Sequence, residues 1–401
     1  MRLLYVAAGI DLPGSHGGST HTWEVARGLH ARGHEIVVVA RSPRGPGTGA
    51  WRRPVVVDGV EIRYLDLPKS LSLFGYPAIA HIVRHFKPAV IMERYYNLAG
   101  AGILAAWRHH APSLLEVNAL IVDPPAVFKR RLDDRLGGAL RRWATWQCRA
   151  ATRIVTPLAS TVPAGVDRAK IMELPWGANV ERFVPQTDSP LHAALRARLG
   201  LPAPEQVAVF AGSFRVWHGV HDFVGAAVQL IEGGDPFHFL LIGDGPERHA
   251  AERLAAPHRD RFHFLGSVPH VEMPGLLALA GAGVAPFNTA AHPALRAAGF
   301  FWSPLKIYEY MAAGLPVITP AIPPLDTTIR EGIEGASYPE GDIRALAAAI
   351  RRVLEAPERA HMGQRARERV VRDFSWQRHC QELERILVEI RGSHSGVSSS
   401  A

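Results

Sequence analysis

Short hydrophobic runs alternate with amphipathic stretches along the first part of the chain. Residues 3–8 form an apolar run typical of a buried strand, and residues 35–40 form a second one. Between them, residues 20–32 carry the spacing of an amphipathic helix, and a glycine-rich stretch at 13–19 precedes that helix. Strand, glycine loop, helix and strand make a βαβ unit, which predicts a parallel sheet.

The alternation continues and then restarts after a proline-rich passage at residues 185–204. Before that passage, further strands are predicted at residues 55–57, 89–92, 113–117 and 153–156. After it, strands are predicted at residues 207–212, 237–243, 262–265, 282–286 and 316–319. Two α/β domains are the simplest account, residues 1–185 and 186–370, followed by a helix at 374–391 and a disordered tail at 392–401.

Composition excludes several classes of protein. The 401 residues are 47% hydrophobic and 20% charged, which allows large buried cores and is unlike a disordered chain. Only two cysteines occur, Cys148 and Cys380, so a disulfide scaffold and a multi-cysteine metal site are excluded and a reducing compartment is expected. No apolar run approaches the ~18 residues of a membrane-spanning helix. Because a signal-peptide pattern is also missing, we expect a soluble, cytoplasmic protein.

Charge is distributed unevenly along the chain. The net charge is +8, but residues 1–200 contain 26 Lys and Arg against 15 Asp and Glu, a balance of +11, and the remainder has a balance of −3. This indicates an anionic partner for the first half, or compositional drift in a GC-rich genome. The stretch 129–153 is basic with interleaved Leu and Trp, which predicts peripheral contact with the anionic inner face of a membrane; a solvated amphipathic helix is the alternative. No nucleic-acid-binding signature accompanies the charge, so no nucleic-acid partner is expected.

Three glycine-bearing loops follow predicted strands. They are His16-Gly17-Gly18, residues 212–219, and Gly243-Asp244-Gly245-Pro246. Glycine at such a place lets backbone N–H groups approach a phosphate, and the following helix N-terminus adds positive potential. A purely steric tight turn is the alternative for each loop. None reads GxGxxG or GxxxxGK[ST], which argues against a dehydrogenase and against a P-loop enzyme.

The segment 303–317 carries the strongest local signal. Ser303 is predicted to cap a helix whose first residue is Pro304. Free N–H groups there, together with Lys306, would hold a diphosphate, and Glu309 would accept hydrogen bonds from a ribose diol. An ordinary capped helix with a solvated Lys306 and Glu309 is the alternative.

Several short motifs follow one another in a fixed order along nearly the whole chain. They are Gly17-Gly18, R-G-L-H-A-R-G-H-E-I-V-V-V at 27–39, P-W-G-A-N-V-E-R-F at 175–183, the loop 212–219, G-D-G-P at 243–246, F-L-G-S-V-P at 264–269, E-Y-M-A-A-G-L-P at 309–316 and F-S-W at 374–376. Together they resemble the retaining glycosyltransferases of the GT-B fold, glycosyltransferase 4 type. The resemblance implies an α/β fold with two facing Rossmann-like domains, parallel sheets and a cleft between them. It also implies that helix 374–391 packs back on the first domain.

The resemblance assigns donor-binding roles, with departures from the family pattern. Glu309 matches the second acid of the family's Glu-x7-Glu pair, whereas the first acid falls on Phe301 and is absent. The family's diphosphate loop carries Arg and Lys where this chain has Ser213 and His218. Arg215 and Lys306 are the nearby cations that could compensate, and a protonated His218 would contribute more than a neutral one. The implied donor-binding residues are Gly17, Gly18, Gly212, Ser213, Arg215, His218, Gly243, Gly266, Ser303, Leu305, Lys306 and Glu309.

The resemblance also implies catalytic residues and a mechanism. Asn118, in E-V-N, stands where the family often has a histidine near the transferred sugar, and His16 is a second candidate for that contact. With Lys306 these are the predicted catalytic residues. The retained configuration is explained by same-face attack, in which the departing phosphate takes the acceptor's proton. No metal and no cofactor besides the nucleotide-sugar donor is expected.

Other functions remain open from the sequence. A nucleotide-sugar epimerase or a sugar phosphorylase could use the same fold. A catalytically silent nucleotide-sugar-binding subunit is suggested by Phe301, Ser213 and His218. The acceptor could be a glycan, a lipid-linked sugar or a small molecule.

Overall fold

The computed structural model describes residues 1–14, 16–43, 54–65, 67–185 and 190–397. By its internal contacts the chain divides into two compact units. The N-terminal unit consists of Met1–Trp176, Phe301–Ser303 and Trp376–Ala401, and the C-terminal unit consists of Gly177–Phe300 and Pro304–Ser375. The chain first passes from one unit to the other at Gly177, close to the boundary predicted near residue 185.

Within the described residues, eight strands form the sheet of the N-terminal unit. They are β1 (Arg2–Asp11), β2 (Glu35–Arg41), β3 (Val55–Val57), β4 (Val60–Tyr64), β5 (Val90–Arg94), β6 (Ser113–Glu116), β7 (Arg153–Thr156) and β8 (Ile171–Glu173). Their order is β3-β4-β2-β1-β5-β6-β7-β8. Only β3 pairs antiparallel, with β4, so the predicted parallel sheet is confirmed. The pattern missed β4 and β8, because each is short and contains charged residues that interrupt an apolar run.

Helices cover this sheet, and residues 3–8 of β1 are 3% exposed or less. The first five helices are α1 (Gly17–Ala31), α2 (Tyr76–Phe86), α3 (Ala101–Arg108), α4 (Phe128–Arg135) and α5 (Ala139–Ala150). The predicted start of α1 at residue 20 is three residues late. The carbonyl of His16 already accepts from the N–H of Thr20 (3.0 Å), so Gly17 and Gly18 form the first turn.

The C-terminal unit contains a second parallel sheet, of six strands in the described residues. They are β9 (Val207–Ala211), β10 (His238–Ile242), β11 (Phe262–Gly266), β12 (Ala282–Val284), β13 (Val317–Pro320) and β14 (Gly335–Tyr338). Their order is β11-β10-β9-β12-β13-β14, with all neighbours parallel. This confirms the prediction of a second α/β half; β14 was not predicted.

Nine helices surround that sheet in the described residues. They are α6 (Pro190–Leu199), α7 (Val220–Glu232), α8 (Arg248–Ala255), α9 (Met273–Leu277), α10 (Pro293–Ala298), α11 (Leu305–Ala312), α12 (Leu325–Thr328), α13 (Ile343–Leu354) and α14 (Arg359–Asp373). The core between strands and helices contains Phe210, Phe223 and Phe239, each fully buried. Apolar strands buried on both faces are typical of parallel sheets.

The last helix, α15 (Trp376–Val397), belongs to the N-terminal unit. It lies against α1 so closely that a Cβ at Gly28 would overlap the Cys380 sulfur. Glu384 accepts from His34 (2.9 Å), beyond the end of α1. The backbone is helical through Val397, within the tail predicted to be disordered, and residues 398–401 lie outside the described part of the chain.

No helix among the described residues is long and apolar enough to cross a membrane. In the same residues no group of three or more His, Cys, Asp or Glu side chains is arranged to hold a metal ion. Cys148 and Cys380 are both buried and unpaired, and burial raises the pKa of each thiol to about 12. They therefore act as apolar core residues.

Candidate functional site

Three glycines meet at the carboxyl edge of the sheet in the C-terminal unit. Ala211, Ile242 and Gly266 are register partners on β9, β10 and β11, so Gly212 and Gly243 begin adjacent loops. The N–H of Gly212 donates to the carbonyl of Ile242 (2.9 Å), and that of Gly243 donates to the carbonyl of Gly266 (2.8 Å). The backbones approach so closely that a Cβ at Gly243 would overlap the Gly212 carbonyl oxygen. Only glycine fits there, and the edge can admit a ligand close to the backbone.

Lys306 places its ammonium group at this edge. It lies in the first turn of α11, and its Nζ would be 2.9 Å from a Cβ at Gly212. The Nζ lies 4.2 Å from the ring centre of Phe210 and 5.0 Å from that of Phe287. The alternative of a solvated Lys306 is wrong, because the residue is only 8% exposed.

Among the described residues, Lys306 forms no ion pair and its Nζ has no hydrogen-bond partner. Two aromatic faces and the Gly212 backbone lie beside it. Burial lowers the pKa of Lys306 to about 7, although the negative charge of Glu309 acts in the opposite direction. A buried donor without an acceptor is costly, and an anion placed beside it would remove that cost.

His218 does not take the protonated form in which it would contribute most to binding a diphosphate. Burial, followed by the charge of Lys306, lowers the pKa of His218 to about 2. Its Nδ1 lies 3.2 Å from the Ser213 hydroxyl, so these two side chains, which replace the family's cations, bond to each other. Arg215 is exposed and lies over the ring of Trp217 (5.3 Å). Of the two proposed compensating cations, the structure places Lys306 directly at the glycine edge.

Ser303 does not cap the helix that contains Lys306. Its hydroxyl accepts from the N–H of Trp176 (3.0 Å), and both residues belong to the N-terminal unit. Pro304, with φ −84° and ψ 73°, is the non-helical cap, and Leu305 is the first helical residue. The predicted cap is therefore wrong by one position, because the proline's backbone turns the chain before the helix begins.

Glu309, one turn further along α11, is oriented by a histidine that the sequence analysis missed. The Nε2 of His270 donates to a Glu309 carboxylate oxygen (2.8 Å), and Arg182 donates to the Nδ1 of His270 (3.2 Å). Glu309 is 15% exposed, so its carboxylate remains reachable. Phe301, at the position of the absent first acid, is buried at 3% exposed and belongs to the N-terminal unit.

A second polar cluster lies at the end of β6 in the N-terminal unit, with Glu116 at its centre. Glu116 accepts from the Tyr5 hydroxyl (2.5 Å), from Arg94 (2.8 Å) and from the amide of Asn118. Glu116 is 5% exposed and Arg94 is 6% exposed. The three donors satisfy this buried carboxyl group within the fold, because each replaces a hydrogen bond to water that burial removes.

Asn118 is held from both ends of its amide. Its nitrogen donates to Glu116, and its oxygen accepts from the indole of Trp176 (2.7 Å). These two contacts fix the orientation of the amide, because its nitrogen can only donate and its oxygen can only accept. Asn118 is half-buried, so a remaining N–H or lone pair can still reach a ligand.

His21 completes the cluster in its neutral form. Burial, and then the charges of Arg94 and His379, hold the pKa of His21 well below its usual range. Arg94 donates to its Nδ1 (2.7 Å), so the proton is on Nε2, which has no hydrogen-bond partner among the described residues. The ring packs against Trp176 at a centroid distance of 4.4 Å. A Cβ atom placed on Gly18 would lie 3.7 Å from a guanidinium nitrogen of Arg94. The first glycine loop therefore borders this cluster.

Comparisons with known proteins place both halves of the chain in one group of enzymes. The family profile "Glycosyl transferase 4-like domain" matches residues 16–177, and "Glycosyl transferases group 1" matches residues 205–356. A glycogen synthase of Mycobacterium tuberculosis is 26% identical over 392 aligned residues, which cover 89% of this chain and 87% of that protein. A D-inositol 3-phosphate glycosyltransferase of Kineococcus radiotolerans is 27% identical, with 90% and 88% covered.

The chain belongs to the GT-B glycosyltransferases of the glycosyltransferase 4 type. Solved structures share its fold. Sucrose-phosphate synthase from Thermosynechococcus elongatus has a TM-score of 0.74 at 20% identity, covering 98% of this chain and 99% of that one. Anabaena HepE in complex with UDP has a TM-score of 0.68 at 19% identity, covering 97% and 100%.

In this glycosyltransferase the predicted site residues fall into two groups. Gly212, Ser213, His218, Gly243, Gly266, Leu305, Lys306 and Glu309 lie at or near the glycine edge, with exposed Arg215 beside them. Gly17, Gly18, Asn118 and Ser303 belong to the N-terminal unit, as does His16, which is exposed at the start of α1. Tyr5, His21, Arg94, Trp176 and His270 were missed as site residues. Two of them lie in or beside family motifs that could have indicated their role. Trp176 is part of P-W-G, and His270 directly follows F-L-G-S-V-P.

Proposed function

We propose that this glycosyltransferase uses a nucleoside-diphosphate sugar as donor and retains the configuration of the transferred sugar. The observation that carries the proposal is Lys306, a buried cation without an anionic hydrogen-bond partner beside three glycines at a sheet edge. A diphosphate would supply the missing charge and accept a hydrogen bond from the Lys306 ammonium group, and the missing side chains of the glycines would let it approach the sheet edge closely. The solved structure of HepE with bound UDP supports a nucleotide donor for proteins of this fold.

The charges suggest how the reaction proceeds. Breaking the bond between the sugar and the diphosphate places negative charge on the leaving group, and Lys306 would stabilise it. Glu309, oriented by His270, would bind the ribose hydroxyls. Asn118, with its amide fixed by Glu116 and Trp176, would contact the transferred sugar, as would His16.

The hydrogen bonds of two carboxyl groups support the proposal that the configuration of the sugar is retained. Glu116 is paired with Arg94, and Glu309 accepts from His270, so neither is a free base. Same-face attack needs no protein base, because the departing phosphate takes the acceptor's proton. Metal-independence follows from the same proposal, with Lys306 in the place of a cation bound to the diphosphate.

A thermal-shift panel with UDP, GDP, ADP and dTDP tests the donor. A ligand at about 100 times its dissociation constant stabilises by about 2.7 kcal/mol. Because each kcal/mol raises Tm by about 2–4 °C in a domain of about 150–250 residues, the expected rise is about 5–10 °C. We expect one diphosphate to exceed the others, and Lys306→Met to abolish its shift. Lys87→Met, an exposed lysine of the N-terminal unit, is the matched control. No shift with any diphosphate would overturn the donor assignment, and an inverted product by NMR would overturn retention.

A further inference from the structure

Helix α4 presents its apolar side chains to solvent. Phe128 is 69% exposed, Leu132 is 43% exposed and Leu136, directly after the helix, is 56% exposed. Residues four apart lie on one face of a helix, so the three side chains form a continuous stripe. Large exposed apolar stripes on soluble domains mark surfaces that something else covers.

The side of α4 that faces the protein is polar instead. Asp133 is 5% exposed, and its carboxylate accepts from the N–H groups of Leu140 (2.8 Å) and Arg141 (3.3 Å) at the start of α5. A surface helix normally buries its apolar stripe and exposes its charges. In α4 this arrangement is reversed, and the hydrogen bonds of Asp133 attach the helix to the start of α5.

Positive charge flanks the stripe. Lys129, Arg131 and Arg135 are exposed on α4. The exposed acid of the helix, Asp134, is paired with Arg130 and with Arg141. The outward face of α4 therefore combines apolar side chains with three cations that form no ion pair in the described part of the chain.

A second segment adds to this face. The short 3-10 helix Lys69–Gly75 exposes Phe74 (73%) and Leu71 (43%). The Ser72 hydroxyl of this segment donates to the carbonyl of Leu98 (3.2 Å), and Leu98 and Lys129 line the same cavity, so the segment lies near the start of α4. The tryptophans of the basic stretch, by contrast, are engaged: Trp143 donates to the carbonyl of Ala99 (2.7 Å) and stacks on Trp146.

We propose that α4 and the segment Lys69–Gly75 together form the face by which this protein docks on an anionic lipid bilayer. Phe and Leu side chains insert at the boundary between headgroups and acyl chains, and flanking Lys and Arg bind anionic headgroups. Charge selects this occupant over a second copy of the chain. In a two-fold interface the patch would meet itself, and its cations would face cations.

Vesicle co-sedimentation tests the docking face, with phosphatidylcholine vesicles that contain or lack phosphatidylglycerol. The wild-type protein should bind vesicles with phosphatidylglycerol at least about tenfold more tightly, and added salt should weaken the binding. The double variant Phe128→Ser, Leu132→Ser should lose about tenfold or more, as should Lys129→Glu, Arg131→Glu. Val271→Ser and Arg344→Glu, both exposed in the C-terminal unit, are the matched controls and should bind normally.

Three results would overturn the proposal: no dependence on phosphatidylglycerol, equal loss in the controls, or unchanged binding by both α4 variants. Gel filtration adds a fourth, since a concentration-dependent dimer that Phe128→Ser, Leu132→Ser abolishes, without vesicle binding, would make the face a protein interface. The exposed positions should leave Tm unchanged, which checks folding. No donor or acceptor is present, so the result is independent of the proposed function.

Discussion

At the scale of single residues, the two candidate clusters each contain a buried ionisable side chain, and the two side chains differ in how well they are hydrogen-bonded. Lys306 is a buried amine beside two aromatic rings, and Glu116 is a buried carboxyl group with three donors. The first is costly without a ligand, whereas the second is satisfied within the fold. Lys306 is therefore the residue whose state should change most when an anion binds.

The free energy of unfolding should depend on the protonation of Lys306. Its folded-state pKa is about 7, below the ordinary value of 10.5. Between these values the unfolded state binds the extra proton, so the free energy of unfolding should rise with pH by about 1 kcal/mol per unit, and the dependence should end below pH 7. Urea unfolding of the wild-type protein and Lys306→Met across this window isolates the contribution. Parallel curves for the two proteins would contradict the assignment.

His270 should act on donor binding through Glu309. His270→Ala removes the donor to the carboxylate and should weaken nucleoside-diphosphate affinity about tenfold, with a rise in KM for the donor and little change in kcat. His270→Gln, which keeps a donor, should restore part of the affinity. His238→Ala is the control, because His238 lies at the opposite end of β10 and contacts His263 (3.0 Å). Equal effects of His270→Ala and His238→Ala would show that His270 has no special role.

In the N-terminal unit, Trp176 should position Asn118. Trp176→Phe removes the indole donor to the Asn118 oxygen and frees the amide to rotate. Turnover should fall about tenfold while the binding of a nucleoside diphosphate, measured by calorimetry, stays unchanged. Trp107→Phe, at an exposed tryptophan of the same unit, should leave both quantities unchanged. Full turnover in Trp176→Phe would exclude the positioning role.

At the scale of elements, short loops after parallel strands determine where a ligand can approach. Gly212 and Gly243 have φ values of +142° and +135°, and each begins the loop after a central strand. A side chain at either position would meet both strained backbone and a neighbouring atom. Glycine in these loops therefore has a steric role and a ligand-access role at once.

The stabilities of Gly243→Ala and Gly332→Ala, when compared, separate the cost of backbone strain from the cost of steric overlap. Both glycines have positive φ, but a Cβ at Gly332 meets nothing within 4 Å, whereas at Gly243 it overlaps the Gly212 carbonyl oxygen. We expect Gly332→Ala to cost about 1 kcal/mol and Gly243→Ala to cost about 3 kcal/mol or more. Thermal unfolding measures the difference. Equal losses of Tm would mean that the sheet edge relaxes around the added methyl group.

At the scale of the whole molecule, the chain builds two parallel-sheet units, and its last helix belongs to the first of them. Trp376, Cys380, Leu387 and other apolar residues of α15 are buried, and Glu384 pairs with Arg32 and His34. The N-terminal unit thus depends on contacts such as Arg32–Glu384 and His34–Glu384, which span 352 and 350 positions of sequence. Late truncations should damage it more than the C-terminal unit.

Much of this organisation follows from local sequence pattern. Apolar runs of four to eight residues predict buried parallel strands whichever partners they find, so the two sheets and most strands were predicted. Glycines directly after strands, and Lys306 and Glu309 one turn apart, were likewise readable, because strand ends and helix spacing are local properties.

The tertiary structure decided the contacts that join distant positions. Tyr5 reaches Glu116 across 111 positions, and His270 reaches Glu309 across 39. Such pairs depend on strand order and on burial, which no local pattern contains. The same is true of the burial of Lys306, the neutrality of His218, the bond from Trp176 to Ser303 and the outward apolar face of α4. Each of these depends on which atoms surround a side chain, and folding brings those atoms together from separate parts of the chain.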